Sequence, residues 1–167
     1  ISAIAFNMDV DGVWDGEKSV NARLDGQVDE FTMNGYTFQN LCVSGRASEN
    51  WFEGSLGMKD PNLNFDLAGT FDLGQKNALI NFNLLINKAN LYALNLSHKD
   101  TLSNLQLDMR GQLQGNVLDE LEGVVTVKNA SFSNSRGTLP INDLVLSSVP
   151  EYGKQKITLS SEYVDAR

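Results

Sequence analysis

Apolar and polar residues alternate along much of this chain, and a glycine recurs on the apolar side. Residues 63–73 place Leu63, Phe65, Leu67, Gly69, Phe71 and Leu73 on one parity, against Asn62, Asn64, Asp66, Ala68, Thr70 and Asp72 on the other. Residues 20–28 repeat the pattern as Val20, Ala22, Leu24, Gly26 and Val28 against Asn21, Arg23, Asp25 and Gln27. Residues 105–115 repeat it as Leu105, Leu107, Met109, Gly111, Leu113 and Gly115 against Gln106, Asp108, Arg110, Gln112 and Gln114. Successive side chains of a strand point to opposite faces, so each run predicts a strand with one dry face and one wet face.

Similar patterning predicts strands at roughly 1–10, 18–29, 31–38, 40–48, 51–59, 63–73, 78–88, 103–114, 122–132, 140–148 and 156–165. Turn signals separate them: Asp11-Gly12, Asp15-Gly16, Asn34-Gly35, Asp60-Pro61-Asn62, residues 74–77 and Ser133-Asn134-Ser135-Arg136-Gly137. Short connectors between strands imply an antiparallel meander. Only 89–96 and 116–121 carry a turn or two of helical pattern.

The glycines add shape. A strand-interior glycine marks a bend, a bulge or a close approach, and Gly26, Gly69 and Gly111 all fall on the dry parity. The expectation is an all-β fold, one long, strongly curved antiparallel sheet folded over an apolar groove like a taco. A closed sandwich or barrel with glycines at its corners satisfies the same pattern. The chain reads as a single β-rich unit, residues 1–167, with loose internal repeats around 24–73 and 121–167. Leu24-Asp25-Gly26-Gln27-Val28 echoes Leu121-Glu122-Gly123-Val124-Val125, and Phe38-Gln39-Asn40-Leu41-Cys42-Val43-Ser44 echoes Ile141-Asn142-Asp143-Leu144-Val145-Leu146-Ser147. Repeats of this kind suggest stacked units of a longer array.

Composition narrows the function. The net charge of -8 argues against nucleic acid, whose affinity comes from clustered Lys and Arg, and gives no support for a polybasic membrane patch. The longest aliphatic or aromatic run, Leu91-Tyr92-Ala93-Leu94, is far short of the ~20 residues a spanning helix needs. The opening Ile-Ser-Ala-Ile reads as an internal fragment, with a processed N-terminus as the alternative. Cys42 is the sole cysteine, which leaves a packed or idle thiol.

Candidate chemistry is sparse. Asp9, Asp11 and Asp15 resemble a calcium loop, but Val13 and Trp14 stand where a ligand and a glycine belong. One histidine, His98, with one cysteine does not make a zinc site. Glu120 and Glu122, or Asp25 and Asp29, form acid pairs of the type glycoside hydrolysis uses, and outer-face solvation explains them as well. Gly54-Ser55-Leu56-Gly57 lacks the lysine of a phosphate loop. Tyr36, Phe38, Trp51 and Phe52 make an aromatic patch suited to sugar stacking or to sheet packing. The reading is a non-enzymatic chain with no catalytic, cofactor or metal site.

Two stretches carry a family resemblance. One is residues 121–132, Leu121-Glu122-Gly123-Val124-Val125 through Phe132, followed by Leu139-Pro140-Ile141-Asn142-Asp143-Leu144-Val145-Leu146. The other is Asp60-Pro61-Asn62-Leu63-Asn64-Phe65-Asp66-Leu67-Ala68-Gly69, with Ala89-Asn90-Leu91-Tyr92-Ala93-Leu94-Asn95-Leu96 after it. Together they resemble the repetitive β-rich body of the TamB branch of the AsmA-like proteins, the translocation and assembly module in its Bacteroidota form. The resemblance implies a periplasmic piece of a longer protein anchored in the inner membrane. It also implies partners: phospholipids carried toward the outer membrane, and an outer-membrane barrel assembled alongside.

On this reading the groove residues are Val20, Leu24, Val28, Leu63, Phe65, Leu67, Phe71, Leu105, Leu107, Met109 and Leu113, with Gly26, Gly69 and Gly111 setting curvature. Exposing an acyl chain of ~16 carbons to water costs on the order of 12 kcal/mol at ~0.8 kcal/mol per CH₂, so an uncharged apolar trough shelters it without a specific pocket. An exposed trough also favours self-closure or dimerisation of the isolated chain. The alternatives are a scaffold whose sheet edges pair with client strands and a glycan-binding module.

Overall fold

The computed structural model describes residues 4–14, 20–74, 78–115, 121–151, 154–161 and 165–166. They form one large antiparallel sheet that does not close, with about 79% of residues in strands and no helix. The strands in chain order are β1 (Ile4–Trp14), β2 (Val20–Met33), β3 (Tyr36–Ser48), β4 (Trp51–Lys59), β5 (Leu63–Asp72) and β6 (Ala78–Asn90). Then follow β7 (Asn104–Gly115), β8 (Glu122–Asn134), β9 (Gly137–Ile141), β10 (Leu144–Glu151), β11 (Lys154–Ser160) and β12 (Asp165–Ala166). Each of β1 to β8 pairs with its successor, and β10, β11 and β12 continue the sheet beyond β8.

Hairpins dominate because the turns are local and cheap to close. Asn34 and Gly35 both take positive φ, 53° and 76°, the pairing of left-handed residues that matches strand twist in a two-residue hairpin. At the β8–β9 turn, the Arg136 amide donates to Asn134 Oδ1. β8 is long enough for two partners along one edge. Its C-terminal half pairs with β9 and its N-terminal half with β10, so β9 and β10 lie nearly in line, separated by a kink where Asp143 has φ 50°.

The turn expected at Asp11-Gly12 is absent, because β1 stays paired with β2 through Asp11↔Arg23 and Gly12↔Ala22 to Trp14. Three further sequence expectations change. The pattern break near residues 30 and 39 suggests separate strands at 18–29, 31–38 and 40–48. Instead β2 and β3 run through those breaks and turn at Asn34-Gly35. The register steps over Asp29 and Asn40 between Val28↔Leu41 and Glu30↔Gln39. It slips again beside Asn87 in β6 and Asn129 in β8. These irregularities lie at nearly the same height across the sheet, and Asn40 and Asn129 adopt left-handed φ of 55° and 51°. A bulge adds one residue and kinks its strand, so here it restores the dry residues to the dry face. Second, the single strand expected at 140–148 is divided between β9 and β10. Third, the helical pattern at 89–96 resolves into the end of β6 and a run of turns, while 116–120 lie outside the described residues.

The well-packed core sits at one end of the sheet. Phe38, Met58, Ala89 and Leu94 are buried, and Phe31, Tyr36, Leu41, Leu63, Phe65, Ile86, Leu91 and Leu105 pack around them. Leu94 belongs to the connection between β6 and β7, which folds back over the strand ends and is only 1% exposed there. Phe38 stacks on Phe31 with ring centroids 5.0 Å apart and meets Tyr36 edge-on at 4.8 Å.

Candidate functional site: an uncharged sheet face

Register converts the alternating pattern into continuous cross-strand rows. Antiparallel partners share a face, so partnership can be followed from strand to strand. The central row reads Gly26, Val43, Leu56, Leu67, Leu84, Met109, Val127 and Leu144, one residue from each of β2 to β8 and from β10. Toward the packed end, the next row is Val28, Leu41, Met58, Phe65, Ile86 and Leu107. Toward the other end come Leu24, Gly45, Gly54, Gly69, Phe82, Gly111, Val125 and Leu146, then Ala22, Ala47, Phe52, Phe71, Ile80, Leu113 and Gly123. None of these rows contains a charged residue.

The structure therefore brings Leu24, Val28, Leu63, Phe65, Leu67, Phe71, Leu105, Leu107, Met109 and Leu113 onto one face. Val20 opens β2 opposite Trp14, and its side chain lies outside the described ones. Sequence reasoning took its candidates from β2, β5 and β7. It missed Val43 and Leu41 of β3, Leu56 and Met58 of β4, Leu84 and Ile86 of β6, and Val127 of β8, which fill the rows between. Their alternation is equally visible once the bulges are allowed for. Three candidates have a different setting from the rest: Leu63, Phe65 and Leu105 pack against the buried cluster under Leu94, so the chain itself covers that end of the face.

The glycines serve close packing. A Cβ on Gly111 would run into the ring of Phe82, and one on Gly69 would meet the Phe82 backbone at 3.0 Å. A Cβ on Gly54 would sit 2.7 Å from Gly45 Cα and 2.9 Å from the Phe52 ring. Phe82 and Phe52 thus fill the dry side above glycines that have no side chain of their own, an exchange of ring for side chain that keeps the apolar surface continuous. Gly26 stands apart, in the central row beside Val43.

The wet face holds a feature the sequence pattern did not single out. A recess of about 1270 Å³ opens across β2–β7, lined mainly by wet rows that include Asp25, Ser44, Ser55, Asp66, Ala68, Asp108 and Arg110. A smaller one of about 610 Å³ lies beside it toward Thr126 and Lys128. Ser55, Gly57 and Ala68 are short and flanked by longer side chains, which hollows the surface.

The other candidates are dispersed. Tyr36 and Phe38 lie at the packed end, whereas Trp51 and Phe52 begin β4 at the opposite end, so the four do not form one stacking platform. Phe52 meets Phe71 on the dry face at 6.3 Å, and Trp51 pairs with Asp72 on the wet side. Cys42 is free and exposed, and His98 is exposed in the β6–β7 connection. Among the described residues no group of three or more His, Cys, Asp or Glu is placed to hold a metal ion. Asp9 and Asp11 lie in β1, whose side chains are not described, and Asp15 and Glu120 lie outside the described residues.

A small polar network locks the packed end. Asp60, 5% exposed, accepts hydrogen bonds from Tyr36 Oη (2.5 Å), the Gln39 amide (3.0 Å) and the Asn62 amide (2.7 Å). Burial, reinforced by the Asp60 carboxylate, pushes the Tyr36 hydroxyl above its ordinary pKa. Farther along, the hydroxyl and amide of Ser135 and the amide of Leu102 donate to Asp100, holding its carboxyl below the usual range.

No family model, curated protein or solved structure matches this chain. Any functional reading therefore rests on the face and its surroundings.

Proposed function

We propose that the sheet curves over its uncharged face to form a taco-like groove that shelters lipid acyl chains. On this reading the chain is one segment of a TamB-like bridge in the periplasm, moving phospholipid toward the outer membrane or supporting assembly of its proteins. The observation that carries the proposal is the central row from Gly26 to Leu144, eight strands wide without a charge. From the Phe65 row to the Phe71 row the face runs ~20 Å along the strands and ~34 Å across them. That is ~700 Å² in projection, above the few hundred Å² that soluble monomers leave uncovered. Something apolar belongs there, and an acyl chain requires only what the rows supply: methyl and methylene surface and no ion to desolvate. The covered end sets a limit, since chains lying on the face must enter and leave along its open side or its far end.

The direct test is lipid retention by the purified chain. Wild type is expected to carry phospholipid detectable by mass spectrometry and to take up a fluorescent phospholipid. Leu67→Arg and Met109→Asp should abolish uptake, with Leu67→Gln as the milder variant that preserves the fold, while Asp66→Asn should behave as wild type. Absence of lipid from a folded wild type, or equal uptake by the folded Leu67→Gln chain, rejects the groove.

One observation favours a second reading. Among the described residues β1 is paired on one side only, leaving an edge as long as Ile4–Trp14. An edge of that length accepts another strand through its main chain, either a client strand or a second copy. Crosslinks from β1 to a client without bound lipid would favour a scaffold role, and a dimer in solution would favour self-pairing.

A further inference from the structure

The connection between β6 and β7, residues 91–103, is a compact loop whose ends meet. The Leu91 amide donates to the Ser103 carbonyl at 2.8 Å, and the Leu96 and Ser97 amides return to the Leu91 carbonyl. Leu94 and Ser103 fill its inside, at 1% and 2% exposure. Loops of this closed type, packed by their own side chains, are frequently functional. Both flanks are fastened: Asn95 exchanges two hydrogen bonds with Asn34, and Asp100 accepts from Ser135.

The outside of this loop carries large apolar side chains among polar ones. Leu96 and Leu102 are 66% and 59% exposed, and Tyr92 of the same loop is 41% exposed. Met33, at 52%, precedes Asn34 in the neighbouring turn that the loop is fastened to. A flexible loop hides such side chains intermittently, whereas this one is held with them in water. Cations lie around these side chains. Lys99 and Arg136 are exposed on the loop and on the turn bonded to it, and Lys88 lies just before the loop. Asp100, the loop's own acid, keeps its charge under the hydrogen bonds from Ser135 and Leu102 and offsets one of these cations.

We propose that this end of the sheet docks on an anionic phospholipid surface, with Leu96, Leu102 and Met33 entering the interface and Lys99 and Arg136 meeting headgroup phosphates. Apolar insertion combined with a few cations is the combination that holds a protein at an interface. A net charge of -8 repels the chain from such a surface on average, so an approach is favoured where exposed leucines and cations such as Lys99 and Arg136 lie together. The proposal does not depend on the groove, because the loop covers the sheet end whether or not lipid lies on the open face.

The experiment is flotation of the full chain with vesicles of phosphatidylethanolamine and phosphatidylglycerol, compared with vesicles of phosphatidylcholine alone. Wild type should float with the anionic vesicles and release at high salt. Leu96→Ser with Leu102→Ser should weaken binding by about tenfold or more, and Lys99→Glu with Arg136→Glu by about thirtyfold or more. Leu85→Ser, which removes an exposed leucine from the wet face, should float as wild type, and circular dichroism should show all variants folded. Failure of wild type to float, equal flotation of the Leu96/Leu102 variant, or equal binding to phosphatidylcholine would overturn the proposal. The groove test fails or succeeds separately, since it reads lipid uptake through Leu67 and Met109.

Discussion

Asn34 and Asn95, 61 residues apart, each donate a side-chain amide to the other's backbone carbonyl, at 3.1 and 3.0 Å. Both residues hold left-handed backbone, φ 53° and 58°, which asparagine tolerates better than other side chains with a Cβ. The pair ties the β2–β3 turn to the loop that covers the packed end. Asn95→Gly keeps the backbone accessible and removes one amide, so it isolates the hydrogen bonds from conformational strain. A loss of about 1–2 kcal/mol in urea unfolding is expected, with faster amide exchange confined to 91–103. Because the bonds are reciprocal, Asn34→Gly combined with Asn95→Gly should cost less than the sum of the two single changes.

Phe82 and Gly111 give a sharper test of how the dry face is built. An alanine methyl at 111 overlaps the Phe82 ring, and small-to-large changes in packed sites typically cost about 1–3 kcal/mol. Gly111→Ala should fall in that range. Phe82→Leu shortens the side chain over Gly111 and should recover part of the loss in the double variant, although alone it destabilises. Strictly additive losses in thermal or urea unfolding would mean that the ring does not occupy the glycine's space.

Much of the sheet is legible in the sequence because the alternation is strict. Leu63 to Phe71 and Leu105 to Leu113 lie in strands with the dry parity facing one way. Asn34-Gly35 is the turn its chemistry demands. The bulges are legible too, though by a different signal. Val28 to Phe31, Phe38 to Leu41, Ile86 to Ala89 and Val127 to Ala130 are each three residues apart, where uninterrupted strands space their apolar residues by two. Read as strand breaks, those steps divide β2 and β3 wrongly; read as one inserted residue each, they give the observed register. The loop is the part that periodicity does not reach. Leu94 points inward from an irregular segment, and only the surrounding turns determine what it covers. The wet-face recess likewise arises from Ser55, Gly57 and Ala68 becoming neighbours on adjoining strands.

The bulge reading makes a prediction at Asn129. Its φ of 51° is strained for a β-branched residue, so Asn129→Val should destabilise by about 1–2 kcal/mol and Asn129→Gly by much less. Deleting Asn129 is more severe. It shifts the C-terminal half of β8 by one residue, which turns Ala130 and Phe132 to the wet face. Loss of amide-exchange protection across β8 and β9 is expected for the deletion, with β3 to β6 still protected. A deletion variant with native protection in β9 would contradict the insertion.

Tyr36 and Asp60 predict an alkaline limit to stability. The folded protein holds the Tyr36 proton more tightly than the unfolded chain, chiefly because burial disfavours the phenolate and secondarily because Asp60 accepts its hydrogen bond. A raised folded pKa contributes stability that is fully present below the unfolded value and declines as pH climbs from about 10 through the folded value. At neutral pH, Tyr36→Phe leaves the buried Asp60 carboxylate with one donor fewer and should cost about 1–3 kcal/mol. That gap between wild type and variant should narrow as pH rises past 10, since only wild type has the Tyr36 proton to lose. Urea midpoints of both chains across an alkaline series provide the check. A gap that stays constant would show that the hydroxyl's proton is not held by the fold.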